Sequence, residues 1–129
     1  MARHVYFITH PDVLIDPAVP VPDWPLSERG RIRMRAVLDQ PWTPGLCSLF
    51  CSTERKARDG AAILAEALDL PVTELEELGE NDRSSTGYLP KLEFEAMADA
   101  FFARPQESVR GWERAVDAQP RTLSCGRAK

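Results

Sequence analysis

The sequence lacks the features that mark several large classes of protein. No apolar run approaches the roughly 20 residues of a membrane-spanning helix. The apolar residues 5–9 are too few for the core of a signal peptide, so we expect a cytoplasmic protein with no membrane partner. The 16 lysines and arginines are outnumbered by 20 aspartates and glutamates, and this acidic balance argues against a nucleic-acid partner.

Cysteine and histidine are both scarce. Cys47 and Cys51 lie in what is predicted to be one strand, where four residues of rise separate them by about 13 Å, too far for a disulfide bond. A Cys-x3-Cys pair can form half of a zinc site, but no second pair of ligands completes one in this sequence. We therefore predict buried free thiols and no metal. The two histidines are His4 and His10.

What is present is the composition of a globular protein, because 43% of the 129 residues are hydrophobic and 28% are charged. This length suits one compact domain. We predict a single domain over residues 1–129 that is incomplete at its C-terminal end, since the pattern of strands and helices is lost after about residue 119.

Strand and helix patterns alternate along the chain. Runs rich in β-branched and apolar residues predict strands at 5–9, 46–51 and 71–75. Apolar residues at helical spacing predict helices after Ser27, after Ser52-Thr53, around 94–101 and after Ser108. Proline-rich residues 11–25 and polar residues 76–91 are predicted loops. This order favours a three-layer α/β/α sandwich with a largely parallel sheet that lacks its last strand or strands.

Polar side chains collect at the carboxyl ends of the predicted strands, where open α/β sheets hold their sites. The first strand ends at Thr9 and His10, and the second is followed by Ser52 and by a helix with Lys56 in its first turn. The loop after the third strand carries Glu80. An imidazole nitrogen is a nucleophile toward phosphorus, and a helix N-terminus with a cation suits a phosphate group. A carboxylic acid can protonate the leaving oxygen.

Three segments, in this order, resemble motifs of the histidine phosphatase superfamily, the phosphoglycerate-mutase-like enzymes. Residues 7–10, Phe-Ile-Thr-His, correspond to the strand and Arg-His-Gly motif of that family. Residues 25–30, Pro-Leu-Ser-Glu-Arg-Gly, match its Leu-Ser-x-x-Gly helix start. Residues 49–57, Leu-Phe-Cys-Ser-Thr-Glu-Arg-Lys-Ala, fall where the family has Ser-Pro-x-x-Arg-Ala. The resemblance covers residues 5 to about 118.

The resemblance implies a role for each matching residue. His10 takes the place of the histidine that becomes phosphorylated, and Lys56 takes the place of the second phosphate-binding arginine. Lysine keeps the charge of that arginine but lacks its bidentate fork. Thr9 replaces the first phosphate-binding arginine, and Ser52 is expected at the phosphate site. Pro11 replaces the glycine that follows the histidine.

The expected proton donor is Glu80, and Glu77 and Asp82 are less favoured candidates. No metal or organic cofactor is required, because fixed cations and backbone donors can stabilise the developing charge. The family also uses a second histidine late in the chain, whereas this sequence has no histidine after residue 10. This departure suggests a shortened or frame-shifted version of a longer enzyme.

Two kinds of function follow as hypotheses. The first is a phosphomonoester hydrolase that acts through a phosphohistidine on His10 and takes a small phosphorylated substrate. The alternative is a non-catalytic module that binds phosphate or a partner, a pseudo-phosphatase, or a truncated product of a longer enzyme. Each of these residues also has a purely structural interpretation. His10 would be bonded to the backbone at the end of a strand, Lys56 would be exposed on a helix, and Glu80 would be solvated in a loop.

Overall fold

Helices and short strands alternate in the computed structural model, which describes residues 4–80 and 82–120. The helices are α1 (Glu28–Ala36), α2 (Arg55–Leu68) and α3 (Lys91–Ala103), and the strands are β1 (Leu49–Cys51) and β2 (Val72–Glu74). Residues 115–120 are also helical. Short 3₁₀ turns lie at Val21–Asp23, Val37–Asp39, Thr43–Gly45 and Glu76–Leu78. Residues 121–129, where the pattern is predicted to be lost, lie outside the described residues.

The sheet is parallel. Leu49 of β1 lies opposite Val72 of β2, and Cys51 lies opposite Glu74. Parallel neighbours cannot be joined by a tight turn, so the chain crosses over through α2, which contacts both strands. Helix α1 packs against α2. The predicted α/β class with a parallel sheet is therefore confirmed, with two strands in the described part of the chain.

Two clusters of buried side chains hold these elements together. We call the first the β1–α2 core, and its buried members are Leu26, Met34, Leu49 and Leu64. We call the second the α3 core, and its buried members are Met97, Phe101, Val109 and Trp112. Burying one large apolar side chain stabilises a fold by roughly 1.5–3 kcal/mol relative to leaving it exposed. Each cluster therefore contributes substantially to the free energy of unfolding.

The start of α1 agrees with the predicted cap. The Ser27 side chain accepts a hydrogen bond from the backbone N–H of Gly30 at 3.1 Å, which satisfies one donor of the first helical turn. The backbone of the proline-rich loop lies against this turn, since a Cβ built on Gly30 would lie 2.0 Å from the carbonyl oxygen of Asp12. Only glycine permits so close an approach at this position.

The start of α2 differs from the prediction by one residue. The N-cap is Glu54 rather than Ser52 or Thr53, and its side chain makes no capping bond to its own helix. The Glu54 carboxylate instead accepts a bond from the Ser52 hydroxyl at 3.2 Å and one from the backbone of Glu80 at 3.0 Å. The Glu54 carboxylate therefore links the residue after β1 to the loop after β2 instead of capping α2.

The predicted first strand is wrong. Residues 5–9 pair with no strand in the described ranges, and the side chains of Val5 and Phe7 are each 72% exposed. A β-branched and aromatic sequence favours a strand only where a neighbouring strand and a covering face are available. The segment instead lies along the wall of a cavity beside β1.

Two smaller predictions also need correction. Cys47 is exposed because β1 begins only at Leu49, whereas Cys51 is buried; both thiols are free. The helix predicted after Ser108 begins only at residue 115, because Arg110 and Gly111 form a turn with φ values of 48° and 82° that a right-handed helix does not allow. Within the described ranges, no helix has both the length and the apolar character needed to cross a membrane.

Candidate active site

Three of the residues predicted to act together meet beyond the carboxyl ends of β1 and β2. The Nε2 atom of His10 lies 3.2 Å from Oε1 of Glu80. The Nζ atom of Lys56 lies 3.1 Å from Oε2 of the same carboxylate. Glu80 thus bridges the imidazole from the N-terminal segment and the ammonium group from α2.

The orientation of the His10 ring is determined by its backbone neighbour. Nδ1 lies 2.8 Å from the carbonyl oxygen of Pro11. Because a carbonyl oxygen only accepts hydrogen bonds, Nδ1 carries the proton there and Nε2 is directed at Glu80. The predicted backbone bond at this histidine is present, and Nε2 faces the Glu80 carboxylate.

The carboxylate of Glu80 receives cations from two directions. Besides Lys56, the guanidinium of Arg83 donates to Oε2 from Nη2 at 2.7 Å. The hydrogen bond from His10 is the largest cause that lowers the pKa of Glu80 to about 2, and the charges of Lys56 and Arg83 lower it further against the opposing effect of burial. Glu80 is therefore an anion in this arrangement.

The pKa of His10 shifts in the opposite direction. Its hydrogen bond to Glu80 raises the pKa above the ordinary 6.5, while burial and the charge of Lys56 oppose the rise. Both shifts favour a proton on Nε2 between the imidazole and the carboxylate, so the pair is an imidazolium and a carboxylate at pH values below the raised pKa of His10.

Lys56 is buried, with 4% of its side chain exposed, so the interpretation as an exposed helix lysine is wrong. Its charge lies in the first turn of α2, where the helix dipole disfavours a cation. Carboxylates compensate for this placement, because Nζ lies 3.1 Å from Glu80 and 3.7 Å from Glu54. A buried cation at the less favourable end of a helix is a local conflict of the kind found at functional sites.

The remaining predicted site residues occupy different surroundings. Ser52 is buried beside the cluster and donates its hydroxyl to Glu54, whereas Thr9 is exposed and lines the cavity next to His10. Asp82 takes part in a turn, since its Oδ1 accepts a bond from the backbone N–H of Ser84 at 2.8 Å. Glu77 is exposed in the 3₁₀ turn after β2. Of the three candidate acids, Glu80 is the one placed beside His10 in the described ranges.

An apolar cavity of about 440 Å³ adjoins the cluster. Residues 4–10 form one wall, and the opposite wall is formed by β1 and by the side of α2 that carries Lys56, Gly60 and Leu64. In the described ranges, no three His, Cys, Asp or Glu side chains are arranged to hold a metal ion.

The sequence matches the profile of the histidine phosphatase superfamily (branch 1) over residues 17–125. This match spans most of the 129 residues. The chain belongs to the histidine phosphatase superfamily. The matched range begins after His10, so membership in the superfamily rests on the rest of the chain and is independent of any role for that histidine.

Solved structures of similar fold include a phosphatase and a hydrolase. A mycobacterial glucosyl-3-phosphoglycerate phosphatase with inorganic phosphate superposes with a TM-score of 0.68 at 24% identity, over 92% of this chain and 58% of that one. Mycobacterial hydrolase 1 gives 0.75 at 23% identity, over 92% and 61%. Bacillus stearothermophilus YhfR gives 0.60 at 24% identity, over 82% and 55%. A search of curated proteins gave no match.

The chain spans about three-fifths of the length of the first two structures. At these identities the likeness concerns the fold. The α/β architecture of the superfamily is thus present in a shorter chain, and the activity and substrate of this chain are matters for the proposal below.

Sequence reasoning missed two members of the cluster in this histidine phosphatase fold. Glu54 links Ser52, Lys56 and the backbone of Glu80, and Arg83 contacts the Glu80 carboxylate. The position of Glu54 at the start of a helix, directly before two basic residues, was a signal that could have identified it. No regular spacing points to Arg83, because it lies in an irregular loop whose path depends on tertiary packing.

Proposed function

We propose that this chain hydrolyses small phosphomonoesters through a phosphohistidine formed on His10. The observation that carries the proposal is the orientation of the imidazole, with Nδ1 held by the carbonyl of Pro11 and Nε2 3.2 Å from Glu80. Phosphoryl transfer to a histidine requires a nucleophilic nitrogen with an acid beside it, and His10 and Glu80 lie within hydrogen-bond distance of each other. The buried ammonium group of Lys56 supplies positive charge beside them.

The first step begins with the proton that the pair holds. The proton moves from His10 Nε2 to Glu80, which leaves a neutral imidazole and a neutral carboxylic acid. The Nε2 lone pair then attacks phosphorus while the bond from phosphorus to the ester oxygen breaks. Glu80 gives its proton to that oxygen, and the alcohol leaves.

The second step releases phosphate. Water attacks the phosphorus of the phosphohistidine, the nitrogen–phosphorus bond breaks, and the Glu80 carboxylate accepts a proton from the water. The charge that develops on the phosphoryl oxygens is stabilised by the buried ammonium group of Lys56 and by nearby backbone N–H groups. This scheme uses no metal ion and no organic cofactor.

A second function, phosphate binding without turnover, is favoured by a specific observation. The sequence has no histidine after residue 10, where the superfamily pattern expects one that stabilises the transferring phosphoryl group. Without that histidine, turnover would be slowed more than the binding of an anion beside Lys56.

The expected ligand is inorganic phosphate or a small phosphorylated molecule. Among the similar structures, mycobacterial glucosyl-3-phosphoglycerate phosphatase is seen with inorganic phosphate and with VO3, which supports this choice of ligand class. A cytoplasmic location and a single domain stay predictions.

The test compares hydrolysis of a chromogenic phosphomonoester by the natural protein, His10→Ala and His4→Ala. His4→Ala is the matched control, since that histidine is exposed. We expect His10→Ala to lower kcat/KM by about 100-fold or more and His4→Ala to leave it unchanged. An equal rate in His10→Ala would overturn the mechanism.

Binding of vanadate, measured by calorimetry, separates the two functions. Vanadate binding together with hydrolysis supports the enzyme, and vanadate binding without any hydrolysis supports the second function. Absence of both, in a protein that melts in one cooperative thermal transition, contradicts each of them.

A further inference from the structure

Arg83 is the cation of the cluster that no sequence motif identified. Its Nη2 donates to Oε2 of Glu80 at 2.7 Å, the same oxygen that lies 3.1 Å from Lys56. The other oxygen of that carboxylate faces His10. Arg83 therefore lies one carboxylate away from the proposed nucleophile.

Packing holds the Arg83 side chain in place. Its guanidinium carbon lies 5.1 Å from the ring centroid of Phe94 and 5.8 Å from that of Trp112, within the range of a cation–π contact. Trp112 is itself anchored, because its Nε1 donates to the Thr86 hydroxyl at 2.8 Å. Only 17% of the Arg83 side chain is exposed. A guanidinium ordered in this way loses little conformational entropy when it binds a ligand.

The loop that carries Arg83 is joined to the same part of the molecule. The backbone N–H of Glu113 donates to the carbonyl of Asp82 at 2.8 Å, and the hydroxyl of Ser85 donates to the carbonyl of Arg110 at 2.7 Å. These bonds flank Arg83 on both sides. Its position relative to the α3 core is thus determined by backbone and side-chain contacts together.

Charge at the site presents a difficulty for an incoming phosphate. The described groups around Glu80 are the cations His10, Lys56 and Arg83 and the carboxylate of Glu54. While Glu80 is ionised it occupies these cations and repels a second anion. The cations become available when Glu80 is neutral, because a protonated carboxyl group attracts a guanidinium far more weakly than a carboxylate does.

We propose that Arg83 is a phosphate-binding residue, and that Glu80 releases its guanidinium to the phosphate when Glu80 takes the proton from His10. This inference rests on the proposed function. One proton transfer breaks the N–H bond at Nε2 and forms the O–H bond on Glu80. The same transfer makes His10 a nucleophile, makes Glu80 an acid and leaves the Arg83 guanidinium available to the substrate. The planar fork of Arg83 supplies the bidentate contact that Lys56 cannot make.

The test is a double-mutant cycle on the binding of inorganic phosphate, measured by calorimetry without any turnover. Glu80→Gln imitates the protonated acid and is expected to bind phosphate about tenfold more tightly than the natural protein. Adding Arg83→Met to Glu80→Gln is expected to weaken binding at least about tenfold. In the natural protein Arg83→Met has a smaller effect, because Glu80 holds the guanidinium there.

Arg104→Met is the matched control, since it removes an exposed arginine that pairs with Glu107 on the surface. It is expected to leave phosphate affinity unchanged in both backgrounds. Thermal melting verifies the fold of every variant. Should Arg83→Met not melt cooperatively, Arg83→Gln replaces it with the same expected loss.

The outcomes are distinguishable. If Glu80→Gln binds phosphate equally well with and without Arg83, the inference is overturned, while the proposed function is still decided by the hydrolysis test of His10→Ala. If neither the natural protein nor Glu80→Gln binds phosphate, the inference and the proposed function fall together. A loss of affinity that is larger in the Glu80→Gln background than in the natural protein supports the release of Arg83 by Glu80.

Discussion

The β1–α2 core and the α3 core position the candidate site by different means. Around the first, the backbone does most of the positioning: a parallel strand pair, a crossover helix and a capped α1 place Lys56 where β1 ends. Around the second, side chains do so, because Arg83 lies in an irregular loop and is held against Phe94 and Trp112. Glu80 lies between the two cores and receives one cation from each.

This difference has a consequence for how each half of the site tolerates change. A residue placed by regular backbone keeps its position when a neighbouring side chain is trimmed. A residue placed by side-chain packing moves when its support is removed. Substitutions in the two cores should therefore affect stability and ligand binding in different proportions.

Trp112→Ala is expected to have the largest effect. This side chain is 2% exposed, and its loss should lower the free energy of unfolding by about 3–5 kcal/mol. It should also weaken phosphate binding, since Arg83 loses its support. Urea unfolding and calorimetry measure the two effects. Trp42→Ala is the control, because Trp42 is only partly buried and stacks on Tyr6; a cost at Trp42 as large as that at Trp112 would contradict the prediction.

Gly30→Ala tests the backbone contacts beside the β1–α2 core. Replacing glycine with alanine inside a helix ordinarily stabilises it by about 1 kcal/mol. Here the added methyl group would lie 2.0 Å from the Asp12 carbonyl oxygen, so we expect a loss of about 1–3 kcal/mol in urea unfolding. Gly45→Ala is the control, because a Cβ at that position meets nothing within 4 Å and should be nearly neutral. A stabilised Gly30→Ala would show that the loop moves away at no cost.

Ser27→Ala tests the cap of α1. The variant loses the hydrogen bond from the Gly30 N–H and should lower the free energy of unfolding by about 1 kcal/mol. Ser27→Asp keeps an acceptor and should retain most of the stability. Ser84→Ala, on an exposed loop residue, serves as the control in the same urea titration. Equal stability of Ser27→Ala and the natural protein would indicate that the cap contributes nothing.

The pH dependence of stability tests the pair between the two cores and has the smallest expected effect. The pKa of His10 is raised, so its contribution is present below 6.5 and is lost as the pH rises through the folded value. The pKa of Glu80 is lowered to about 2, so its contribution is present above 4.5 and is lost as the pH falls toward 2. The stabilisation should therefore be greatest between about pH 4.5 and 6.5.

The measurement is the difference in unfolding free energy between the natural protein and His10→Asn across this range. Both side chains are about one-third exposed, so solvent screening limits the difference to about 1 kcal/mol or less. A difference that does not change with pH would contradict the paired state of His10 and Glu80.

Much of the site was predictable from residue type and strand order. Parallel strands bring their carboxyl ends to one edge, so Lys56 and Glu80 were expected near one another, and their distance of 3.1 Å agrees. His10 was expected there for the same reason and lies 3.2 Å from Glu80, although residues 5–9 before it form no strand. Their roles in catalysis stay predictions. The hydroxyl of Ser27 and the apolar spacing of α3 likewise correspond to elements that the structure contains.

Local pattern indicated α1, α2, α3 and the regions of β1 and β2, because capping, helical periodicity and β propensity act over a few residues. Tertiary structure decided the rest. Residues 5–9 have the composition of a strand, yet no neighbouring strand pairs with them in the described part of the chain. Whether a strand forms, and whether a loop arginine such as Arg83 reaches a carboxylate, depends on contacts between distant segments, and sequence periodicity carries no record of those contacts.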